Sequence, residues 1–247
     1  MVKSFNLSVL LCILGGIFNQ SFAQTDFSKS EKPALYPVRI AISFSPDLNY
    51  RRLTNVNNSW TSNQIINLRN EREFPRIGYS TQLNLAVELT KRTSVEFGIG
   101  YRDMGFTYEN VTVYKPNIAY IANLVDHFYY YSIPFALRQT WGNKKWQFTY
   151  HVGISTNIFR VQNTNIIPIN SNIADTTIIN NDGRSTYKDV VLIPSVGLGT
   201  TFNINSKSQI CFEPSLRYSI SSLTQNTPIN GYLYNVGLNL TYRLKLN

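Results

Sequence analysis

Gly231-Tyr232-Leu233-Tyr234-Asn235-Val236-Gly237-Leu238-Asn239-Leu240-Thr241-Tyr242-Arg243-Leu244-Lys245-Leu246-Asn247 closes the chain, and its alternate positions carry different chemistry. Tyr232, Tyr234, Val236, Leu238, Leu240, Tyr242, Leu244 and Leu246 form an apolar set. Leu233, Asn235, Gly237, Asn239, Thr241, Arg243 and Lys245 form a largely polar one. Side chains of an extended strand point alternately to opposite faces, so this stretch is a strand with one apolar and one polar side. It is longer than the roughly 5–6 residues usual in soluble proteins. Tyrosines bracket the apolar face. A strand that crosses a bilayer as one stave of a closed barrel has this character: apolar outside, polar inside, aromatic at both interfaces.

The same alternation recurs upstream at residues 38–47, 76–89, 95–102, 128–140, 146–158, 190–204 and 210–220. Between these segments the connections are long (49–75), short (91–93), long (109–126), short (141–144), long (160–188), short (205–207) and intermediate (222–230). Short turns at one end and long loops at the other are the signature of an up-and-down barrel. The expected fold is therefore all-β: an eight-stranded antiparallel up-and-down transmembrane β-barrel. Its short turns would be periplasmic, its long loops extracellular, and both termini periplasmic.

Three local features carry their own expectations. Beyond Asp103 the apolar positions change parity, to Met104, Phe106 and Tyr108, which predicts a bulge or a strand continuing above the bilayer. Pro134 falls inside the 128–140 segment and predicts a local break in the ladder, because proline has no N–H to donate. Asn180-Asn181-Asp182-Gly183 predicts a hairpin turn within the third long connection.

The totals agree with this reading without dictating it. The chain has 247 residues, 43% of them hydrophobic, with 16 tyrosines and 14 phenylalanines. Past residue 24 no run approaches the ~20 apolar residues that a spanning helix needs. Residues 1–24 read as a cleaved secretory signal: Lys3, an apolar core from Leu7 to Ile17, and Ser21-Phe22-Ala23 before Gln24. Residues 25–37 read as a periplasmic lead-in, and 38–247 as a single barrel domain. Cys12 lies inside the signal and lacks the small residue that a lipobox places before its cysteine. After cleavage Cys211 stands alone, so no internal disulfide or cysteine metal cluster can form. The net charge of +9 falls by one when Lys3 leaves, and its basic residues are spread along the chain. That argues against nucleic acid and reads first as a diffuse excess of solvated charge; attraction to anionic lipid head groups or acidic polymers is the alternative, and the partners expected of a barrel are the bilayer and lipopolysaccharide.

Tyr131-Ser132-Ile133-Pro134 with Arg138, Pro194-Ser195-Val196-Gly197-Leu198-Gly199 and Glu213-Pro214-Ser215-Leu216-Arg217-Tyr218 resemble the PorT-like outer-membrane β-barrel family of Bacteroidota. The resemblance covers essentially the whole mature chain and implies location. Its motifs carry no chemistry, so the secretion role of one branch is not implied here.

The chemistry available is limited. An eight-stranded barrel has an interior just wide enough for side chains to fill it. The inward set includes Arg39, Glu88, Glu96, Arg102, Arg138, His151, Glu213, Arg217, Arg243 and Lys245. These residues predict an ion-paired plug, because buried charges need partners. A selective channel is the alternative. Glu213 and Arg243, inward on successive strands, are expected in one network. Catalytic, cofactor and metal residues are not expected. His127 has Asp126 beside it on the opposite face and Ser132 five residues away, a spacing that makes no triad, and a lipid-modifying enzyme is the remotest reading. The first long connection offers Arg51, Arg52, Arg69 and Arg72 with Trp60, groups that grip anions and stack. The function expected is a structural or interaction component acting through its outer loops, with other outer-membrane proteins as candidate partners; a small-solute channel is the alternative.

Overall fold

The computed structural model describes residues 37–115, 118–142, 145–169, 178–181 and 186–246. The expected signal and nearly all of the lead-in lie outside them. The elements are β1 (Val38–Asn55), α1 (Trp60–Arg72), β2 (Glu73–Glu88), β3 (Thr93–Lys115), β4 (Ile118–Trp141), β5 (Trp146–Pro168), β6 (Ile178–Asn181), β7 (Val190–Asn203), β8 (Ser208–Tyr218) and β9 (Ile229–Lys245). Each strand pairs antiparallel with its sequence neighbours, β7 following β5, and β1 pairs with β9 to shut the ring. Eight of the described strands therefore form a closed up-and-down barrel. The short β6 lies outside that count, paired with residues 162–165 of β5.

Closure satisfies every edge, and alternation then decides what faces out. Ile42, Ile99, Leu198 and Val236 are 61%, 65%, 62% and 54% exposed, and the exterior between them is apolar around the ring. A water-facing surface does not carry an apolar band of this extent; hydrocarbon covers it. Aromatic contacts mark both borders. Trp141 stacks on Tyr150 and Trp146 packs on Phe202 near the short turns, each with centroids 4.7 Å apart. Tyr101 packs against Tyr79, Tyr129 and Tyr131 toward the long-loop end.

Of the two expectations for the switch of apolar positions beyond Asp103, the continuing strand is the one found: β3 runs on to Lys115. Arg102, Met104 and Phe106 are all buried and all point inward, two residues apart on an unbroken face. What changes is the chemistry of the interior, polar below and aromatic above. The ladder shifts register in three places: between Pro75 and Tyr79 of β2, facing Asp103–Phe106; between Tyr108 and Val111 of β3, where Asn110 has a positive φ of 53°; and at Tyr129–Tyr130 of β4, facing Phe159–Val161 of β5.

The long connections are also shorter than the sequence suggests. β3 and β4 continue as a paired hairpin to Lys115 and Ile118, so most of 109–126 is sheet. β1 runs on to Asn55 and β2 begins at Glu73, which leaves α1 as the body of the first connection. Ser59 caps that helix, its hydroxyl accepting the Ser62 N–H at 3.1 Å. Of the Asn180–Gly183 turn, Asn180 and Asn181 belong to β6, while residues 182–183 lie outside the described residues.

Proline leaves the expected mark. β3 and β4 pair at Phe97–Phe135 and again at Gly100–Ser132, with Ile133 and Pro134 unpaired on that side and no shift in register. Pro46 and Pro214 sit in matching gaps, between Phe44–Leu240 and Asp47–Gly237 and between Gly197–Ser215 and Thr200–Phe212. Each proline keeps its pairing on the other side of its strand, so the ring stays closed.

Candidate functional site

The interior is built in layers. Nearest the short turns Arg39 bonds Glu88 across β1 and β2, and both remain partly exposed. Arg39, Lys91, Arg92 and Arg243 line a basic vestibule of about 230 Å³ there, with Glu88. Above it Arg243 Nη2 donates to Glu96 Oε1 at 2.5 Å, and Arg138 Nε donates to the same oxygen at 2.8 Å. Arg138 also donates through Nη1 to Glu213, and His151 Nδ1 lies 2.5 Å from Glu213 Oε1. Arg243, Glu96, Arg138, Glu213 and His151 are thus one chain across the lumen, supplied by β9, β3, β4, β8 and β5. Glu213 and Arg243 join through Arg138 and Glu96 and do not touch directly. Cys211 is buried against this chain, 3.8 Å from Arg138 Nη1.

Higher still, Arg217 donates to Asp47 Oδ1 at 2.7 Å and to Asn239 Oδ1 at 2.5 Å. Ser45 and Ser80 also donate to that aspartate, at 2.6 and 2.9 Å. Gly237 makes room for the pair: a Cβ there would lie 2.0 Å from Asp47 Oδ1 and 2.9 Å from Arg217 Nη1. Arg102 is buried in the same layer, and its Nε and Nη1 have no hydrogen-bond partner.

The upper lumen is apolar. Met104, Phe106, Phe128, Tyr130, Phe159, Val191, Ile193 and Leu233 point inward from the staves and pack together. Leu223, from the segment joining β8 to β9, drops into the same cluster and is fully buried. Its backbone is held on both sides, its N–H donating to Gly231 O and its carbonyl accepting from Lys188 N–H. Tyr187 closes the top, edge-on to Phe128 at 5.1 Å. Burial, and then the Asp126 carboxylate, push the Tyr187 hydroxyl up to about 12, so it is neutral at any physiological pH.

Arg51 corrects an expectation. It belongs to β1, not to a loop, and its guanidinium is buried over the Phe106 ring, 3.8 Å from the centroid. It pairs with Glu73 and donates to Tyr108 Oη at 3.0 Å. Arg52, its neighbour, faces outward and is exposed, also on β1. Trp60, Arg69 and Arg72 lie on α1; Trp60 is 75% exposed, and Arg69 reaches only to 3.9 Å from Glu73. The five residues are therefore not one patch: Arg51 is a core residue, Arg52 lies on the outer face of β1, and Trp60, Arg69 and Arg72 belong to α1.

A further polar cluster sits on the outer face of the wall, near the tyrosine border. Arg76 pairs with Asp103, whose two oxygens lie 3.2 Å from His127 Nδ1. Tyr129 Oη is 3.4 Å from the same nitrogen, and Asn165 Nδ2 is 3.3 Å from Nε2. Sequence spacing missed this arrangement because Asp103 approaches from the neighbouring strand, two residues off direct register. The histidine has an orienting carboxylate, but its free nitrogen meets an amide, and no serine or threonine hydroxyl is bonded to it among the described contacts. Nor do the described residues hold any group of three His, Cys, Asp or Glu side chains suited to a metal.

No family model matches the chain, and no curated protein matches it. Among solved structures it is similar to Neisserial surface protein A (TM-score 0.43, 9% identity, 85% of this chain and 97% of that one). It is also similar to outer membrane protein OprG from Pseudomonas aeruginosa (0.44, 10%, 85% and 96%). A third is the outer membrane protease OmpT from Escherichia coli (0.45, 8%, 90% and 100%). At these levels it is the closed strand pairing that assigns the architecture.

Proposed function

We propose that this protein is an integral outer-membrane barrel with a closed lumen, acting as a structural or interaction component through its long-loop end. In this orientation the short turns and both ends of the barrel face the periplasm, and the outer rim contacts lipopolysaccharide. The observation that carries the reading is the filled interior. An ion-paired layer and an aromatic layer lie in series above the vestibule, and the cavity within the ionic layer measures only about 50 Å³. A solute channel would need a continuous path through both. The long-loop end, by contrast, has surface to offer. α1 presents Trp60, Ile65 and Leu68 to solvent with Arg72 beside them, and exposed apolar groups among arginines suit a protein or glycolipid partner. An accessory place in a larger outer-membrane assembly is the form this interaction role would take; the likeness of the Tyr131–Pro134 and Glu213–Tyr218 stretches to PorT-like barrels bears on location alone. We assign no catalytic role to the His127–Asp103 pair, because among the described residues no serine, threonine or cysteine nucleophile is bonded to the histidine.

The test replaces residues 56–72 by a four-residue turn. The variant is expected to fold and insert normally while losing whatever copurifies with the wild-type protein from native membranes. Unchanged copurification would remove α1 as the working surface.

A further inference from the structure

Arg102 heads the fully buried side chains in size, and it is 2% exposed. In the charged layers, Arg39, Arg102, Arg138, Arg217 and Arg243 face only Asp47, Glu88, Glu96 and Glu213. All four carboxylates are engaged by others: Glu88 by Arg39, Glu96 by Arg138 and Arg243, Glu213 by Arg138 and His151, Asp47 by Arg217. The charges that act most on Arg102 are Arg217, which repels it, and Asp47, already taken. A guanidinium cannot lose its proton in a protein, so neutralisation by deprotonation is closed to it. Burying it uncompensated is among the most unfavourable arrangements available to a fold.

The space beside it is suited to a counter-charge. The cavity of about 50 Å³ is lined by Arg102, Arg138 and Arg217, by the carboxylates Glu96 and Glu213 that other groups already hold, by His151, and by polar side chains such as Gln82 and Asn239. About 10–15 Å³ of such space holds one water, so a small ion with a few waters fits. We propose that the lumen binds a small monovalent inorganic anion of the halide class against Arg102, as a structural ligand of the folded barrel. The ion completes the charge balance of the layer and bridges two arginines that would otherwise repel. It is independent of any outer-surface partner, so its test cannot be confused with that of the interaction role.

An anion that binds only the folded state raises stability by mass action. The mature chain, refolded into vesicles of neutral lipid, is unfolded in urea at fixed ionic strength while chloride replaces gluconate, an anion too large for the cavity. Above saturation, each tenfold rise in chloride is expected to multiply the folding constant by about ten. Bromide is expected to act likewise, and Arg102→Gln to abolish the dependence. Equal midpoints in chloride and gluconate, or the same chloride dependence in Arg102→Gln, would overturn the proposal and leave water as the occupant. Should Arg102→Gln fail to fold, wild-type crystals grown in bromide decide the matter. An anomalous peak within hydrogen-bond distance of Arg102 Nε or Nη1 is expected, and its absence refutes the site.

Discussion

Glu213 is engaged by Arg138 and His151, and Glu96 by Arg138 and Arg243, so Arg138 is held between carboxylates that each have a second claimant. Removing one member of such a set leaves an orphan charge, whereas removing a matched pair does not. Glu213→Gln is therefore expected to lower the urea midpoint by the equivalent of about 3–5 kcal/mol. Adding Arg138→Met should recover part of that loss, since Glu96 retains Arg243. A double variant weaker than Glu213→Gln by the full effect of Arg138→Met would show that the residues do not act as a unit. That these side chains face inward was readable from alternation alone. Their partners were not, because the bonds run across the lumen between staves that are not neighbours: β4 to β8, β9 to β3, β8 to β1. Chain order says nothing about who meets whom inside a closed ring, and Arg51 was misread for a related reason. Its partner Glu73 lies 22 residues on, past a helix.

The elements were legible where lipid touches them and obscure where it does not. Below the tyrosine border an outward position must be apolar, so each stave shows its period and could be placed to within a few residues. Above the border both faces of β3, β4 and β5 leave the hydrocarbon, and the polar outer face no longer announces a strand. Inside, the aromatic layer then puts Met104, Phe106 and Tyr108 on the inward parity, which mimics a change of register. The medium changed and the strand did not. α1 escaped notice because only Ser62 of its residues is buried, so it has no apolar stripe to read. Its start does depend on a local device, the Ser59 cap. Ser59→Ala is expected to destabilise the helix by about 1 kcal/mol. Hydrogen exchange at the amides of residues 62–66 should quicken about fivefold, with protection in the staves unchanged. Exchange that quickens throughout the barrel would mean that α1 is integral to the wall rather than carried by it.

Taken as one molecule, the barrel is sealed twice by different means, and the two seals make separable predictions. The aromatic layer excludes water by packing and includes Leu223, which a connecting segment delivers from outside the wall. The ionic layer beneath is held by side chains from five staves and owes nothing to that segment. Shortening residues 219–228 to a minimal turn withdraws Leu223 and leaves the arginine–carboxylate chain in place. That variant is expected to insert, to lose some stability, and to carry no steady current in a planar bilayer. Replacing Glu96, Arg138 and Glu213 together by alanine leaves the aromatic layer intact and is likewise expected to be silent. Combining the two changes removes both seals, and there a reproducible conductance is expected, small because the ring has only eight staves. A steady current from the wild-type protein would overturn the closed-lumen reading. Current from the shortened-segment variant alone would show that the ionic layer, for all its bonds, parts readily enough to let ions through.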